Sequence, residues 1–207
     1  MSRSRVVCYG VMVVFVVLLW LSGEDVSTSW TRFATGATVV VVVLEGVYER
    51  WAWGWLSGSL TGRPDLRGTW RGTLTTHWVD PKTGLGPGPK PCYIVIHQTA
   101  STERVTLLTD ESKSTSSASE VVKSGSGWSL RYLYGNEPQI AVDHRSNAHN
   151  GAVVLTTDSE AKTLEGHYWT DRNSRGELAF GERSKKQAAT NSEAASLDWP
   201  SSLACHR

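Results

Sequence analysis

Hydrophobic positions follow two regimes along this chain. Up to about residue 50 they come in continuous runs, and from residue 66 they alternate with polar ones. Val6 to Leu21 carries no charge, and Phe33 to Leu44 contains the five consecutive valines Val39–Val43. A helix rises about 1.5 Å per residue, so the first run reaches roughly 24 Å against a hydrocarbon core of about 30 Å. Snorkelling of Arg5 and inclusion of Ser22 and Gly23 extend it to a span. The second run spans if it starts near Thr28 or ends near Tyr48, with Arg32 or Glu45 at an interface. The pattern predicts a two-helix transmembrane anchor over residues 1–56. Arg3 and Arg5 precede the first run and Arg50, Arg63 and Arg67 follow the second, while the turn Glu24–Ser29 is acidic and polar. By the positive-inside rule, the N-terminus and everything after residue 56 lie in the cytoplasm. A cleaved signal peptide is the competing reading, from the basic start and the small residues Ser22-Gly23.

Residues 57–65 read as a linker rich in Gly, Ser and Pro. In Leu66 to Trp78, Gly68, Trp70, Gly72, Leu74, Thr76 and Trp78 share one face, and Thr69, Arg71, Thr73, Thr75 and His77 share the other. Glycines on the inner face suit a barrel corner or a close neighbour. Further strands are predicted at Cys92–Gln98, Arg104–Asp110, Trp128–Tyr134, Gln139–Val142 and Ala152–Thr156, followed by a hairpin of Leu164–Arg172 with Glu177–Arg183. Gly135–Pro138 and His149–Gly151 read as turns, and Ser112–Ser119 as a serine-rich approach to Val121 and Val122. The sum is all-β, about eight antiparallel strands over residues 66–183, enough to close a barrel that holds its own side chains or one small ligand. Residues 184–207, rich in Ser, Ala and Lys, are expected to be disordered.

Composition narrows the function. With 21 basic and 20 acidic side chains the formal charge is +1, which argues against coating a nucleic-acid polymer. The three cysteines, Cys8, Cys92 and Cys205, form no CxxC or Cys/His cluster, so neither a metal site nor a disulfide framework is expected, and a reducing compartment fits. Several of the ten tryptophans flank the apolar runs, as indoles at a membrane boundary do. No HExxH or GxSxG motif occurs and the histidines are scattered; His144 and His149 near Asp143 are the best catalytic candidates, and the chain reads as a binding module rather than an enzyme.

In the strand from Leu164, alternation puts Leu164, Gly166, Tyr168, Thr170 and Arg172 on one face. Arg172 would then stand at the barrel mouth, where a guanidinium suits a phosphate. Tyr168 and Tyr134 would stack on a base, and Thr109 and Asn150 would add a hydroxyl and an amide. The alternative is that Arg172 only pairs with Asp171 or Glu177 across the hairpin, and that the tyrosines are core.

Five segments in order carry a resemblance: Gly68 to Leu74, Thr109 to Ser117, Trp128 to Tyr134, His149 to Gly151 and Leu164 to Arg172, all behind two hydrophobic runs. Together they resemble the two-transmembrane β-barrel effectors of CBASS anti-phage defence, although Gly-x-Trp alone is also similar to lipocalins. The resemblance implies a barrel that binds a cyclic dinucleotide made by a partner cyclase. It further implies oligomerisation on binding and disruption of the bacterial inner membrane by the transmembrane segments. It carries over Arg172 and Thr170 as ligand contacts, with Tyr134 and Asn150 as weaker transfers. No cofactor beyond the activating ligand is implied. A membrane-tethered or secreted lipocalin-like carrier of an apolar ligand is the alternative.

Overall fold

The structure, a computed structural model, describes residues 38, 40–49, 53, 63–79, 84, 86–138 and 148–199. Contacts divide the chain into two compact units, one of residues 1–56 with 99–102 and one of residues 57–98 with 103–207. In the first, residues 40–49 are helical, and the Ser101 hydroxyl donates to a Glu49 carboxylate oxygen (3.1 Å). Among the described residues no helix is long and apolar enough to cross a membrane. The first expected span lies outside the described residues, and the second falls only partly within them.

The second unit is a closed antiparallel barrel of eight strands in sequence order: β1 Gly68–Thr76, β2 Lys90–Gln98, β3 Glu103–Leu108, β4 Ser112–Ser124, β5 Gly127–Pro138, β6 His149–Thr157, β7 Leu164–Thr170 and β8 Arg175–Ser184. β1 closes the cylinder by pairing with β8, with a register shift between Arg71 and Gly72. Closure leaves no sheet edge to template pairing with another chain. The alternating faces set the core. Trp70, Ile94, Ile96, Val105, Leu130, Leu155, Leu164, Leu178 and Phe180 are fully buried inside. Each such side chain contributes about 1.5–3 kcal/mol on leaving water.

The end of the barrel where the chain enters is plugged. The Trp70 indole donates to the Leu66 carbonyl (3.0 Å), and the Arg183 guanidinium lies 5.1 Å from the centre of the indole ring. Arg183 also donates to the Arg67 carbonyl (2.6 Å) and lies within 3.4 Å of Asp65. Asp65 is further held by Arg67 at 2.8 Å. Buried Gln98 accepts from the Leu66 backbone N–H (2.8 Å) and donates to the Pro64 carbonyl (3.2 Å).

Several strands depart from the sequence pattern. Gly135–Pro138 does not turn the chain: β5 runs through it, with Gly135 opposite Asn150 and Asn136 opposite His149. His149–Gly151 likewise opens β6 rather than forming a turn. The serine-rich run is a full strand, β4, paired along its length with β5. Its ladder to β3 is short, Thr106–Leu108 against Lys113–Thr115. Beyond that, where β4 bulges against β5 at Ser116/Ala118, hydroxyls take over the link to β3. Ser116 Oγ accepts from the Val105 N–H (2.9 Å), and Ser119 Oγ donates to the Glu103 carbonyl (2.5 Å). The expected strand Gln139–Val142 lies outside the described residues.

Residues 185–199, expected to be disordered, pack on the outer face of β2. Ala188 and Ala194 are buried with Tyr93, Val95 and Leu108, and Trp199 stacks on Tyr93 at 5.6 Å. Thr190 caps a short helix, Asn191–Ala195. The Thr69 hydroxyl ties the segment down, donating to the Lys186 carbonyl (2.8 Å) and accepting from the Ala188 N–H (3.0 Å). β2 is therefore covered on both faces, which is why Cys92–Ile96 is continuously apolar.

Candidate functional site

An up-and-down barrel gathers alternate connections at each end. The connections β1–β2, β3–β4, β5–β6 and β7–β8 share the end opposite the Trp70 plug. All six residues singled out in the sequence, Thr109, Tyr134, Asn150, Tyr168, Thr170 and Arg172, lie in or beside strand ends and turns at this mouth.

Two tyrosines line the inside below the rim. Tyr134 faces Gly151 and Tyr168 faces Gly176 as direct cross-strand neighbours. A Cβ on Gly151 would come within 2.5 Å of the Tyr134 phenol carbon and oxygen, and one on Gly176 within 2.7 Å of the Tyr168 ring. The glycines are the floors on which the rings lie, as bare backbone in a strand permits. The Tyr168 and Thr76 hydroxyls are hydrogen-bonded to each other at 2.6 Å. Burial raises the pKa of both phenols. For Tyr134 the neighbouring Tyr168 raises it further, and the Arg172 charge opposes the rise. Both therefore remain O–H groups that can donate near neutral pH.

The two threonines serve turns. Thr170 Oγ1 lies 2.7 Å from Ser174 Oγ and accepts from the Arg172 and Ser174 backbone N–H groups (3.3 and 3.2 Å). Thr109 Oγ1 does the same for the β3–β4 turn, accepting from Glu111 and Ser112 (3.3 and 2.9 Å). Asn150 is exposed, and its backbone and side-chain nitrogens both approach Asp171 Oδ2 (3.0 and 3.5 Å). Asp171 is thus engaged away from Arg172. Arg172 is exposed, and among the described residues its guanidinium has no ion-pair partner. It neither pairs with Asp171 or Glu177 nor points into the core. It stands on the rim, close enough for its field to reach Tyr134.

Sequence reasoning missed a row just inside the mouth, of which it had named only His149, as a catalytic candidate in a turn. Ser114 on β4, Asn136 on β5 and His149 on β6 are cross-strand neighbours. Ser114 Oγ donates to Asn136 Oδ1 (2.7 Å), and Asn136 Nδ2 lies 3.5 Å from His149 Nδ1. The His149 ring meets the Tyr134 ring edge-on at 6.2 Å. The strict alternation Trp128, Leu130, Tyr132, Tyr134 points to Asn136 as the next inward residue, had Gly135 and Pro138 not suggested a turn. Below Tyr134, Tyr132 is 4% exposed, and its hydroxyl has no hydrogen-bond partner among the described residues.

An open groove of about 600 Å³ lies elsewhere, along the β7–β8 hairpin. Its exposed lining includes His77, His167, Trp169, Arg175 and Glu177, which sit on the outer face of these strands. It reaches Tyr168 and Gly176 but does not include Tyr134, Thr170 or Arg172. The mouth, where buried polar groups converge, is the better site for a polar ligand.

A closed small barrel with a plugged base and a polar, tyrosine-lined mouth has the shape and chemistry to take a small polar ligand at one end. The chain belongs to the family described as Cap15, cyclic dinucleotide receptor domain, whose model matches residues 61–182. It is similar to CD-NTase-associated protein 15 of Staphylococcus schleiferi, 23% identical over 168 residues, covering 81% of this chain and 88% of that one. It is also similar to CD-NTase-associated protein 15 of Yersinia aleksiciae, 31% identical over 119 residues. That match covers 57% of this chain and spans about half of the Yersinia protein, 52%.

Proposed function

We propose that this chain is a membrane-anchored effector of anti-phage defence whose cytoplasmic barrel binds a cyclic dinucleotide at its mouth. Binding promotes self-association, and the two apolar N-terminal runs then disrupt the inner membrane. The partner cyclase acts through its product, and the chain works as a receptor and effector rather than an enzyme. The observation that carries the ligand reading is the rim arginine. Arg172, with no ion-pair partner among the described residues, stands beside Tyr134 in a domain of the cyclic dinucleotide receptor family. A dianionic ligand needs such a cation, and its bases need the tyrosine faces. Self-association follows only if the assembled form binds the ligand better than the monomer does. The anchor reading rests on the runs Val6–Leu21 and Phe33–Leu44 and on the arginines that flank them. The packed apolar interior argues against a carrier of apolar ligands, which needs an open lumen.

The test is calorimetry on the full chain in detergent, titrated with a panel of cyclic dinucleotides and, separately, with oleate. Saturable binding of at least one cyclic dinucleotide is expected, together with ligand-dependent dye release from vesicles carrying the full chain. Binding of oleate with no response to any cyclic dinucleotide would overturn the reading.

A further inference from the structure

We infer that the outer wall of strands β4–β7, around Leu133 and Trp169, is the face through which two copies of this chain associate. This rests on the self-association in the reading above, and goes beyond it by naming the surface and the symmetry of the pair.

A closed barrel has no free strand edge, so two barrels cannot join by strand pairing and must meet through side chains. Outward positions on the described wall are mostly polar, but one row is not. Cross-strand pairing sets Ala118 of β4 beside Leu133 of β5, Leu133 beside Ala152 of β6, and Ala152 beside Trp169 of β7. Their chain neighbours Tyr132, Tyr134, Val153 and Tyr168 are buried, so the row faces out. Leu133 is 55% exposed and Trp169 46%. A scattered exposed leucine means little, whereas contiguous apolar side chains on four adjoining strands mark an interaction face.

The occupant follows from the order of sizes, which is small, large, small, large. Such a row is its own complement under a two-fold axis that runs along the strands between β5 and β6. That axis lays β5 on β6 of the second copy and β4 on β7. Leu133 then fills the space over Ala152 of the second copy, and Trp169 the space over Ala118. An axis along the row would instead set Trp169 on Trp169 and Leu133 on Leu133. The next row towards the plugged end is Glu120, Arg131, Val154 and His167, again direct neighbours. The same axis sets Glu120 opposite His167 of the second copy, a carboxylate against an imidazole N–H, and sets no like charges together. Glu120 is exposed and reaches only Arg131, at 4.0 Å. Strand direction is kept in this pairing, so neither barrel is inverted relative to the other, a condition that two chains rooted in one bilayer share.

The face also adjoins the mouth. Leu133 and Trp169 precede Tyr134 and Thr170 in the chain, and the Trp169 carbonyl lies against Gly151, on which the Tyr134 ring rests. A ligand that repositions Tyr134 moves the backbone that carries the patch. Two rows of four side chains on a convex wall fall short of the roughly 20–30 residues a side of a stable interface. Pairing is therefore conditional on a bound ligand or on crowding in the membrane.

The experiment is sedimentation velocity on the full chain in detergent, with and without cyclic di-AMP, cyclic di-GMP and cyclic di-UMP. Wild type is compared with Leu133→Glu, Ala118→Trp, Trp169→Ala and the double variant of the last two. Wild type assembles with the dinucleotide that binds it. Leu133→Glu raises the protein concentration for half-assembly about tenfold or more. Its affinity for that dinucleotide, measured where both proteins are monomeric, stays within about twofold of wild type. Ala118→Trp sets Trp against Trp and Trp169→Ala sets Ala against Ala, so each assembles less than wild type. Combined, they restore large against small, and the double variant assembles better than either. Unfolding midpoints are read in parallel, and should the double variant not fold, Leu133→Glu decides alone. Wild-type assembly by Leu133→Glu, or a double variant no better than its worse parent, overturns the inference and leaves the receptor reading standing. Dinucleotide binding without assembly of wild type overturns the self-association reading, and this inference with it. Absence of binding by all three compounds overturns the receptor reading as well.

Discussion

The Tyr134 ring lies across the backbone of Gly151, its direct neighbour on β6, so closely that a methyl group there would overlap the phenol. A Cβ would also come within 2.7 Å of the Trp169 carbonyl on β7, which cannot swing away. Gly151→Ala is therefore expected to displace the ring and cost about 1–3 kcal/mol of stability, read by urea unfolding. Ligand binding should weaken in parallel. Unchanged stability would mean that the ring has room that this packing denies it.

Arg172 is an exposed turn residue with no ion-pair partner among the described residues, so its removal should leave the fold alone. Arg172→Ala is expected to hold the unfolding midpoint within a few degrees while weakening the best-binding cyclic dinucleotide about 10- to 150-fold, the worth of one charge-assisted contact. Arg172→Lys should recover only part of that, because a point charge does not replace a fork. Calorimetry on the three proteins at one salt concentration checks both.

Tyr132 makes the opposite case. Its hydroxyl is buried and unsatisfied among the described residues, and burial raises its pKa. Tyr132→Phe should leave the ligand-free protein within about 1 kcal/mol of wild type, or slightly more stable. Alkaline stability adds a second readout. Burial also pushes the Cys92 thiol up to about 12 from an ordinary value of 9.0. Groups whose pKa is raised in the fold stabilise it fully below their unfolded values, and that contribution is lost as pH rises through the folded values. Stability should fall from about pH 9 upward, and Tyr132→Phe and Cys92→Ala should each flatten the fall. Urea midpoints across pH 7 to about 11 test this.

At the plugged end the titration runs the other way. Burial alone would raise the Asp65 pKa, but hydrogen bonds from Arg67 and the charges of Arg67 and Arg183 outweigh it and hold it low. A lowered pKa gives stability that is present above the unfolded value, near 3.8, and lost as pH falls through the folded one. Asp65→Asn should make the barrel less stable at neutral pH, by about 1–2 kcal/mol for a half-exposed pair, and less sensitive to acid below pH 4. Parallel thermal melts at pH 7 and 3 would show the difference shrink.

The segment after β8 should behave as part of the domain. Trp199→Ala uncovers Tyr93 and Val95 on the outer face of β2, and about 2 kcal/mol should be lost, roughly half the cost at a fully buried site. A chain truncated before Ala188 should lose more. Comparison of urea midpoints is decisive, since truly independent residues would leave the midpoint unchanged.

How legible the fold was depended on whether one face of a strand was wet. β1, β5 and β7 have core inside and mostly solvent outside, so their alternation named most inward residues from Trp70 to Tyr168, but it also placed exposed Trp78 inside and put Thr69, which residues 186–188 cover, on the wet face. β4 hid because its inward positions near the mouth are Ser114 and Ser116, which give no apolar signal. Turn-forming composition misled at Gly135–Pro138, where pairing with β6 overrides local preference. The same error concealed Asn136 and put His149 in a turn. The closing segment looked disordered because its few apolar residues, Ala188, Ala194, Leu197 and Trp199, make sense only against the outer face of β2. Arg172 and Tyr168 could be placed at the mouth from the hairpin and Tyr134 from the alternation of β5, whereas the duty of Thr109 and Thr170 as turn caps could not be read.

The serine seam between β3 and β4 gives this cylinder one joint whose strength is written in side chains. Elsewhere among the described residues, neighbouring strands are laced by backbone amides, which only a proline substitution deletes. At Ser116 and Ser119 two hydroxyls do the lacing, and each can be removed by a single-atom change to alanine. The rigidity of the wall can thus be adjusted there by mutation without disturbing the rest of the weave, and the Val105 amide should be the first to report a loosened joint by exchanging with solvent.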